Sequence, residues 1–527
     1  MGGRIGGGRR YARGFAVGAL LAGLVFAWMV TDGTFDPGHR VPFSGNFYDV
    51  QAHQILAGNL SMPRDVLSIE GYEHDGNWYM YFGPAPALLR LPTAAVTDSL
   101  DGRTGVASML FAFTVLMVAF GHISWRLRRW VRGGPLGGDP AGTDAAASDG
   151  ASDAAFDAAG EEAGDSRVDA LDEALAGVTA FVLGAGTTAV FLGVGAYVYH
   201  EAILWGVALS FAAFAAILAW IETTRPRLLL AAGVLTLLAL SSRLAVGIAP
   251  AATLLLLAVV FAIARIWPRA RRLTGHLGLD EQGIAWRTVG WLAAAAAVPL
   301  GVYALVNLAK FGTLFSVPYD HQAANALVPG RRAMLASNGG TLVNVKALPT
   351  NLWQYLRPDA FRLRGTWPWV RLPSWRPHVF GGLRYDMLDH TSSVTAAMPV
   401  LVVLAITGVV AVFRAAARAT GRRATATLRS LAVPVSGAAG AAVPTLVFVY
   451  ITERYTADFL PVLVLPALGG FAVFLRWARA PGSRRGRVVA ASVGLGALAL
   501  WSCVANVSIA RDYQLGREQV QTFQQSR

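Results

Sequence analysis

Long apolar stretches, separated by polar and turn-rich segments, dominate the pattern along the chain. A helix needs roughly 20 mostly apolar residues to cross the hydrocarbon core of a bilayer. Windows of about that length predict about eleven transmembrane helices, at 14–31, 105–124, 175–196, 201–220, 227–243, 246–266, 288–309, 393–413, 431–451, 457–475 and 488–509. The sequence therefore predicts an all-α protein that crosses a membrane many times.

Arginine clusters beside the apolar windows predict the orientation of these helices. The first window follows a basic segment but lacks a small-residue cleavage site, so we expect an uncleaved first helix and not a signal peptide. With a cytoplasmic N-terminus and an extracytoplasmic C-terminus, the other clusters fall in cytoplasmic loops, as the positive-inside rule requires. The clusters are Arg4/Arg9/Arg10/Arg13, Arg265/Arg269/Arg271/Arg272, Arg414/Arg418/Arg422/Arg423/Arg429 and Arg476/Arg479/Arg484/Arg485/Arg487.

The composition agrees with a membrane protein and argues against a nucleic-acid partner. Hydrophobic residues make up 54% of the chain and charged residues only 15%, and the net charge is +13. Because the arginines cluster at helix ends, orientation and anionic lipid headgroups explain them, and we expect membrane lipids as partners and no nucleic acid. Lysine occurs only at Lys310 and Lys346. This bias is typical of GC-rich bacterial genomes, so we expect a bacterial plasma membrane protein.

The polar segments divide the chain into regions. A stretch rich in Gly, Ala, Asp and Glu cannot bury enough apolar surface to order itself and predicts a disordered linker. The regions are 1–132 (helices one and two with an outer loop at 32–104), 133–173 (acidic cytoplasmic linker), 174–309 (helices three to seven), 310–391 (second outer loop), 392–509 (helices eight to eleven) and 510–527 (polar tail).

The two outer loops carry opposite charge. Loop 32–104 has nine acidic residues and four arginines, whereas loop 310–391 has ten basic residues and four acidic ones. This opposition predicts either a cleft that receives an anionic partner or direct pairing of the two loops.

Polar residues at the predicted outer ends of the helices are candidates for a functional site. Ionisable residues at membrane depth are costly and usually mark a polar cavity. Two structural alternatives remain open: a helix-cap pair facing water for His200 and Glu201, and an internal salt bridge within 453–458. Residues 47–56 predict a helix on the membrane surface, with Asp49 free to face the cleft. The candidates are Asp49, Glu70, His74, His200, Glu201, Arg243, Arg454 and Asp458.

The number of cysteines and the spacing of the acidic residues give no support for a metal site. Cys503 is the single cysteine of the chain, which excludes an intrachain disulfide and a Cys-rich zinc site. The outer loops contain no Asp-X-Asp pair, and Asp386 and Asp389 are spaced too widely for that motif. Whether the protein requires a divalent metal is therefore left open, and the sequence gives no support for one.

Four strings and the layout carry a resemblance to a known superfamily. The layout has one outer loop after helix one and another after helix seven, and the strings are FYDVQA, YFGPAPALLRLP, YHEAILWG and ERYTADFLP. Both resemble the GT-C superfamily of membrane glycosyltransferases, which includes protein mannosyltransferases and aminoarabinose transferases, and in particular its poorly characterised actinobacterial branch. The resemblance implies hexosyl or pentosyl transfer from a polyprenyl-phosphate sugar to an envelope glycan, lipid or exported protein on the outer face.

The resemblance also implies roles for the candidates. Asp49 would be the catalytic base, with Glu70 or Glu201 as second choice. The superfamily often has an Asp-Glu pair, which would fall near Gly45 and Asn46 here, so Asp49 substitutes from one helical turn later. Arg243, Arg454 and His200 would neutralise the leaving phosphate, and His74 and Asp458 would contact substrate. Two alternatives are a transporter or flippase of a lipid-linked saccharide and a non-catalytic membrane scaffold.

Overall fold

Helices form almost all of the protein. The computed structural model describes residues 2–41, 44–131, 154–277, 279, 285–328, 330–417, 426–480 and 482–525. Within these residues, eight helices are long and apolar enough to cross a membrane: Gly8–Val30, Thr104–Arg129, Val198–Thr223, Leu244–Ile266, Trp286–Phe311, Pro399–Ala417, Glu453–Ala478 and Arg485–Gly516. The prediction of an all-α, polytopic membrane protein is confirmed.

The helices are numbered here in chain order. They are α1 (Gly2–Val30), α2 (Phe47–Leu56), α3 (Arg64–Leu67), α4 (Ala85–Leu88), α5 (Leu91–Ala94), α6 (Thr104–Val131), α7 (Ala154–Ala185), α8 (Thr188–Leu192), α9 (Val198–Thr223), α10 (Pro226–Leu240), α11 (Leu244–Ile266), α12 (Arg271–His276), α13 (Trp286–Phe311), α14 (Ala324–Leu327), α15 (Arg331–Ser337), α16 (Leu348–Leu356), α17 (Val394–Ala397), α18 (Pro399–Ala417), α19 (Ala426–Arg429), α20 (Ala432–Ala438), α21 (Ala442–Leu446), α22 (Leu460–Ala478) and α23 (Arg485–Gln525).

Short strands and 3₁₀ turns complete the described structure. The strands form an antiparallel hairpin of β1 (Gly71–His74) and β2 (Asn77–Met80), an antiparallel pair of β3 (Arg362–Leu363) and β4 (Val370–Arg371), and a parallel pair of β5 (Met387–Leu388) and β6 (Tyr450–Ile451). The 3₁₀ turns are Ser68–Glu70, Pro268–Ala270, Tyr319–His321, Val345–Ala347, Ala439–Ala441 and Glu453–Phe459.

Three of the predicted transmembrane windows are helical but short or broken. Window 175–196 is interrupted between α7 and α8, where the Thr187 hydroxyl accepts a hydrogen bond from the Ala189 amide, 3.2 Å away, and caps the new helix. Window 227–243 corresponds to α10, whose 15 residues span about 22 Å, less than the roughly 30 Å hydrocarbon core. Window 431–451 is divided between α20 and α21.

Side-chain contacts at both ends of the bundle show which helix ends share a face. The Ser108 hydroxyl near the start of α6 donates to Glu201 near the start of α9, at 2.5 Å. At the other ends of the same helices, Arg129 pairs with Glu222 at 3.2 Å. Helices α6 and α9 are therefore parallel. We call the face that carries 32–104 and 310–391 the loop face, and the other the opposite face.

The acidic linker at 133–173 is predicted to be disordered, but its second half is helical in the structure. Residues 132–153 lie outside the described residues, whereas residues from 154 onward belong to α7. Helix α7 packs closely on α1, because a side chain at Gly18 would collide with the backbone of Gly177. Arg13 and Glu173 pair at the same interface, at 2.5 Å. Packing on α1 and a high alanine content together explain why this segment forms a helix, although its composition predicts disorder.

The two loops pack on each other through backbone groups. The Ala323 amide donates to the Gly71 carbonyl at 2.9 Å. The His321 ring lies 3.1 Å from the carbonyl oxygen of Glu73. Helix α2 forms where the amphipathic helix is predicted, and it buries Phe47 in a cluster within the first loop. The loops therefore meet at the hairpin β1–β2 and enclose the space above the helix ends.

Candidate active site

A cavity of about 640 Å³ lies on the loop face, between the two loops and the ends of the membrane helices. Both loops contribute charged side chains to its wall, as the charge pattern of the sequence predicts for a cleft. The charged lining consists of three arginines and two carboxylates: Arg243, Arg331, Arg454, Glu70 and Asp386.

Tyrosines form much of the remaining wall. A phenol ring offers an apolar face with a negative quadrupole and a hydroxyl that donates or accepts hydrogen bonds. Such a wall can hold a cation by its ring faces and a polyol by its hydroxyls. Seven tyrosines line the cavity: Tyr72, Tyr81, Tyr199, Tyr303, Tyr319, Tyr450 and Tyr455.

Arg454 is held in the cavity wall by these rings. Its guanidinium carbon lies 4.8 Å from the ring centroid of Tyr199, 5.3 Å from that of Tyr455 and 5.5 Å from that of Tyr450. It donates to the Tyr450 and Thr452 hydroxyls, both at 3.3 Å, and its Nε has no hydrogen-bond partner. Among the described residues Arg454 forms no ion pair. Its positive charge is thus available to an anion in the cavity.

The other two arginines of the cavity have carboxylate partners. Arg243 contacts Asp458, which is fully buried, at 2.8 Å, and the Thr445 hydroxyl donates to the same carboxylate at 2.6 Å. Arg331 contacts Asp386 at 3.0 Å. Both positive charges are therefore already neutralised by carboxylates of the protein, without a ligand.

Glu70 presents a carboxylate to the same cavity. The Tyr199 hydroxyl donates to one of its oxygens, and the Gln322 amide lies 3.4 Å from the other. Burial raises the pKa of Glu70, although the bond from Tyr199 and the charges of Arg454 and Arg331 oppose that rise. A carboxylate with a raised pKa is a stronger base, as proton abstraction from a hydroxyl requires.

Asp49 and Glu201 lie outside this cavity, in a buried cluster with Arg90. The Arg90 guanidinium contacts Asp49 at 2.9 Å and Glu201 at 2.9 Å. The three side chains are 3%, 2% and 5% exposed for Asp49, Glu201 and Arg90 respectively. Asp49 lies in the first turn of α2 and Glu201 in the first turn of α9, where helix dipoles favour negative charge.

Uncharged donors supply further hydrogen bonds to the carboxylates of this cluster. Asp49 accepts from the Gly102 amide at 2.8 Å and from the Thr104 hydroxyl, and Ser108 donates to Glu201. The sequence predicts that Asp49 is free to face the cleft, and it leaves open that Glu201 caps a helix toward water. In the structure both carboxylates face Arg90 instead, so the cluster joins α2, α6 and α9 with no open side.

The two candidate histidines also lie outside the cavity. His200 is 3% exposed, and its Nδ1 is 3.3 Å from the Gly195 carbonyl oxygen. Its ring packs at 5.5 Å from that of Tyr197. His74 lies on β1, 3.4 Å from the exposed Asp75 carboxylate. Neither histidine therefore belongs to the cavity lining that contains Glu70, Arg243 and Arg454.

The side chains of 453–458 point in different directions. Glu453 accepts from the Ser392 amide at 2.6 Å, Asp458 pairs with Arg243, and Arg454 faces the cavity. The internal salt bridge that the sequence left open does not form. A 3₁₀ turn places successive residues about 120° apart, which separates these three charges.

Sequence reasoning missed Arg90, the Arg331–Asp386 pair and the tyrosine wall. Arg90 had a usable signal, because an arginine inside the apolar string ALLRLP in an acidic loop requires a buried carboxylate partner. The tyrosines come from segments far apart in the chain, and no spacing pattern joins them. Within the described ranges, no group of three or more His, Cys, Asp or Glu side chains is placed to hold a metal ion.

Comparisons with known proteins give two solved structures of similar shape. No family model matches the sequence, and no curated protein matches it. The apo crystal structure of the Archaeoglobus fulgidus oligosaccharyltransferase has a TM-score of 0.46 and 13% identity, with 94% of this chain and 56% of that chain covered. The structure of the same enzyme tethered to an acceptor peptide with the NVT sequon has a TM-score of 0.44 and 12% identity, with 94% and 55% covered. The chain thus spans little more than half the length of that enzyme.

Proposed function

We propose that the chain is a membrane glycosyltransferase that takes a sugar from a polyprenyl-phosphate donor. The observation that carries this proposal is the pair of Arg454 and Glu70, which line one cavity without forming an ion pair. A cation that forms no ion pair among the described residues suits the phosphate of a donor, and a nearby carboxylate suits the hydroxyl of an acceptor. The GT-C-like strings of the sequence support the same reaction class.

In the proposed reaction Glu70 is the base. It takes the proton of the acceptor hydroxyl while the acceptor oxygen forms a bond to the anomeric carbon of the sugar. The bond from that carbon to the phosphate oxygen breaks, and its electron pair stays on the phosphate. Arg454 neutralises the phosphate as it leaves, so no acid is needed to protonate the leaving group. Arg243, with its charge shared by Asp458, contributes the adjacent wall.

We assign Asp49 and Glu201 a different role from the one that the family resemblance implies. A base needs a lone pair directed at its substrate, whereas the oxygens of Asp49 face Arg90, Gly102 and Thr104. We propose that these carboxylates position α2 and α9 under the cavity.

The proposal is tested by sugar transfer from a panel of polyprenyl-phosphate sugars, with purified full-length protein. We expect transfer from at least one donor by the wild type, and a loss of about a hundredfold or more with Glu70→Gln, because general-base catalysis contributes typically that much. The matched control is Glu73→Gln, since Glu73 is exposed on the same hairpin. It should keep wild-type activity.

Two outcomes would point to the alternatives. Full activity of Glu70→Gln together with inactive Asp49→Asn, in a protein that still folds, would restore Asp49 as the base. No transfer by the wild type, combined with movement of a fluorescent lipid-linked saccharide across vesicles, would identify a flippase. Absence of both activities would favour the scaffold.

A further inference from the structure

A second large cavity lies between α10 and α13, away from the candidate active site. It is an apolar groove of about 780 Å³, to which α9 contributes Trp220. The groove runs along α10 from Arg227 to Leu237 and along α13 from Arg287 to Pro299. Since α10 follows α9 after a two-residue turn, the groove begins on the opposite face of the bundle.

Charge is confined to one end of this groove. Its two charged lining residues are Arg227 and Arg287, near the first residues of α10 and α13. Neither arginine forms an ion pair within the part of the chain that the structure describes. Glu222, the nearby acidic residue of α9, is already paired with Arg126 and Arg129.

The apolar part of the groove has the depth of one lipid leaflet. At 1.5 Å per residue, the ten steps along the helix from Arg227 to Leu237 rise about 15 Å, which is half of the roughly 30 Å hydrocarbon core. Its wall contains exposed apolar side chains, among them Val234, Trp291 and Val298, which are 49%, 56% and 59% exposed. A Cβ added at Gly233 would lie 3.4 Å from Ala295, an ordinary van der Waals contact, so α10 and α13 lie close to each other at this point of the groove.

We propose that this groove binds one anionic phospholipid of the leaflet on the opposite face. The phosphate of the headgroup lies between Arg227 and Arg287, and an acyl chain lies along the apolar wall toward Leu237. Two guanidinium groups at headgroup level, above an apolar groove one leaflet deep, match the charge distribution of such a lipid. The short helix α10, which cannot cover the full depth of the membrane alone, leaves the space for it.

The test is lipid binding by the purified full-length protein in detergent, followed by native mass spectrometry. Phosphatidylglycerol is the anionic probe and phosphatidylcholine the zwitterionic comparator. We expect the wild type to retain one phosphatidylglycerol in preference to phosphatidylcholine. The double variant Arg227→Gln/Arg287→Gln should bind phosphatidylglycerol about thirtyfold more weakly, because each arginine near a membrane surface contributes about 1 kcal/mol.

Two further variants separate the groove from general surface charge. Arg269→Gln/Arg272→Gln removes two exposed arginines of the same face that do not line the groove, and it should leave binding unchanged. Val298→Trp fills the groove without altering its arginines, and it should weaken binding of both lipids. Size-exclusion chromatography before each titration confirms a monodisperse protein.

Three results would overturn the proposal. The first is equal retention of the two lipids by the wild type, which would indicate apolar adsorption without a headgroup site. The second is an equal loss of phosphatidylglycerol in both double variants, which would indicate diffuse attraction to the basic face. The third is undiminished binding by Val298→Trp.

Discussion

Two clusters of arginine and carboxylate lie on the loop face, and they differ in what surrounds the charges. In the closed cluster, Arg90 contacts Asp49 and Glu201 directly, and all three are nearly excluded from solvent. In the open cluster, Arg454 and Glu70 line a cavity and form no ion pair with each other. The two clusters use the same chemical groups, but only the second leaves its charges available to a ligand.

The difference shows how burial separates structural from functional charge. A buried ion pair offsets its large desolvation cost only when further hydrogen bonds support the charges, as Thr104, Ser108 and the Gly102 amide do for the carboxylates of the closed cluster. Arg454 instead rests on aromatic faces, which stabilise a cation without neutralising it. Substitutions in the two clusters should therefore differ in their effects on stability and on activity.

The largest effect should come from removing the cation of the closed cluster. Arg90→Leu leaves Asp49 and Glu201 buried without a counterion, and we expect a loss of roughly 3–5 kcal/mol of stability. The measurement is the fraction of the protein that stays monodisperse in detergent as the temperature rises. Arg103→Leu, at an exposed position of the same loop, is the control and should melt like the wild type. An Arg90→Leu protein as stable as that control would contradict the structural role.

In the open cluster, loss of the cation should affect activity more than stability. Arg454→Gln removes the group proposed to neutralise the phosphate, and we expect kcat/KM for the donor to fall about a hundredfold or more. The melting temperature should fall less than in Arg90→Leu, because Arg454 loses ring contacts and two hydrogen bonds but no ion pair among the described residues. Arg332→Gln, at an exposed position of the second loop, is the control. An unchanged kcat/KM would remove Arg454 from the proposed site.

Most of the fold is predictable from the sequence because the bilayer imposes it. Long apolar windows are required wherever the backbone crosses the hydrocarbon core, and eight of them form continuous helices in the described residues. The exceptions have local causes. The Thr187 cap ends one helix and begins another, and packing on α1 extends α7 into a segment whose composition predicts disorder.

The candidate site is only partly predictable for a different reason. The sequence indicates that Glu70, Arg243 and Arg454 share a face, because that follows from alternating helix directions. It does not indicate which carboxylate each arginine meets. Asp49 and Glu201 both lie at helix starts beside the predicted cleft, and only the fold of the ALLRLP segment brings Arg90 between them.

A smaller effect on stability should follow from removing one uncharged donor of the closed cluster. Thr104→Val keeps the shape of the side chain but leaves Asp49 and Arg90 without their shared hydroxyl partner. Hydrogen bonds to charged groups contribute about 1.5–3 kcal/mol, so the melting temperature should fall while activity below the transition is retained. Thr114→Val, at an exposed position of the same helix, is the control. A selective loss of activity without destabilisation would instead connect the closed cluster to the reaction.

The smallest and most specific effect concerns the pH dependence of the reaction rate, which Glu70 of the open cluster should control. Burial raises the pKa of Glu70, and only its ionised form can take a proton. The rate should therefore fall about tenfold per pH unit once the pH drops below that raised pKa. The bond from Tyr199 opposes the rise, so Tyr199→Phe should move the acid limb of the kcat/KM profile to higher pH. Glu73→Gln should leave the limb in place. An acid limb that does not respond to Tyr199→Phe would show that a group other than Glu70 titrates in the reaction.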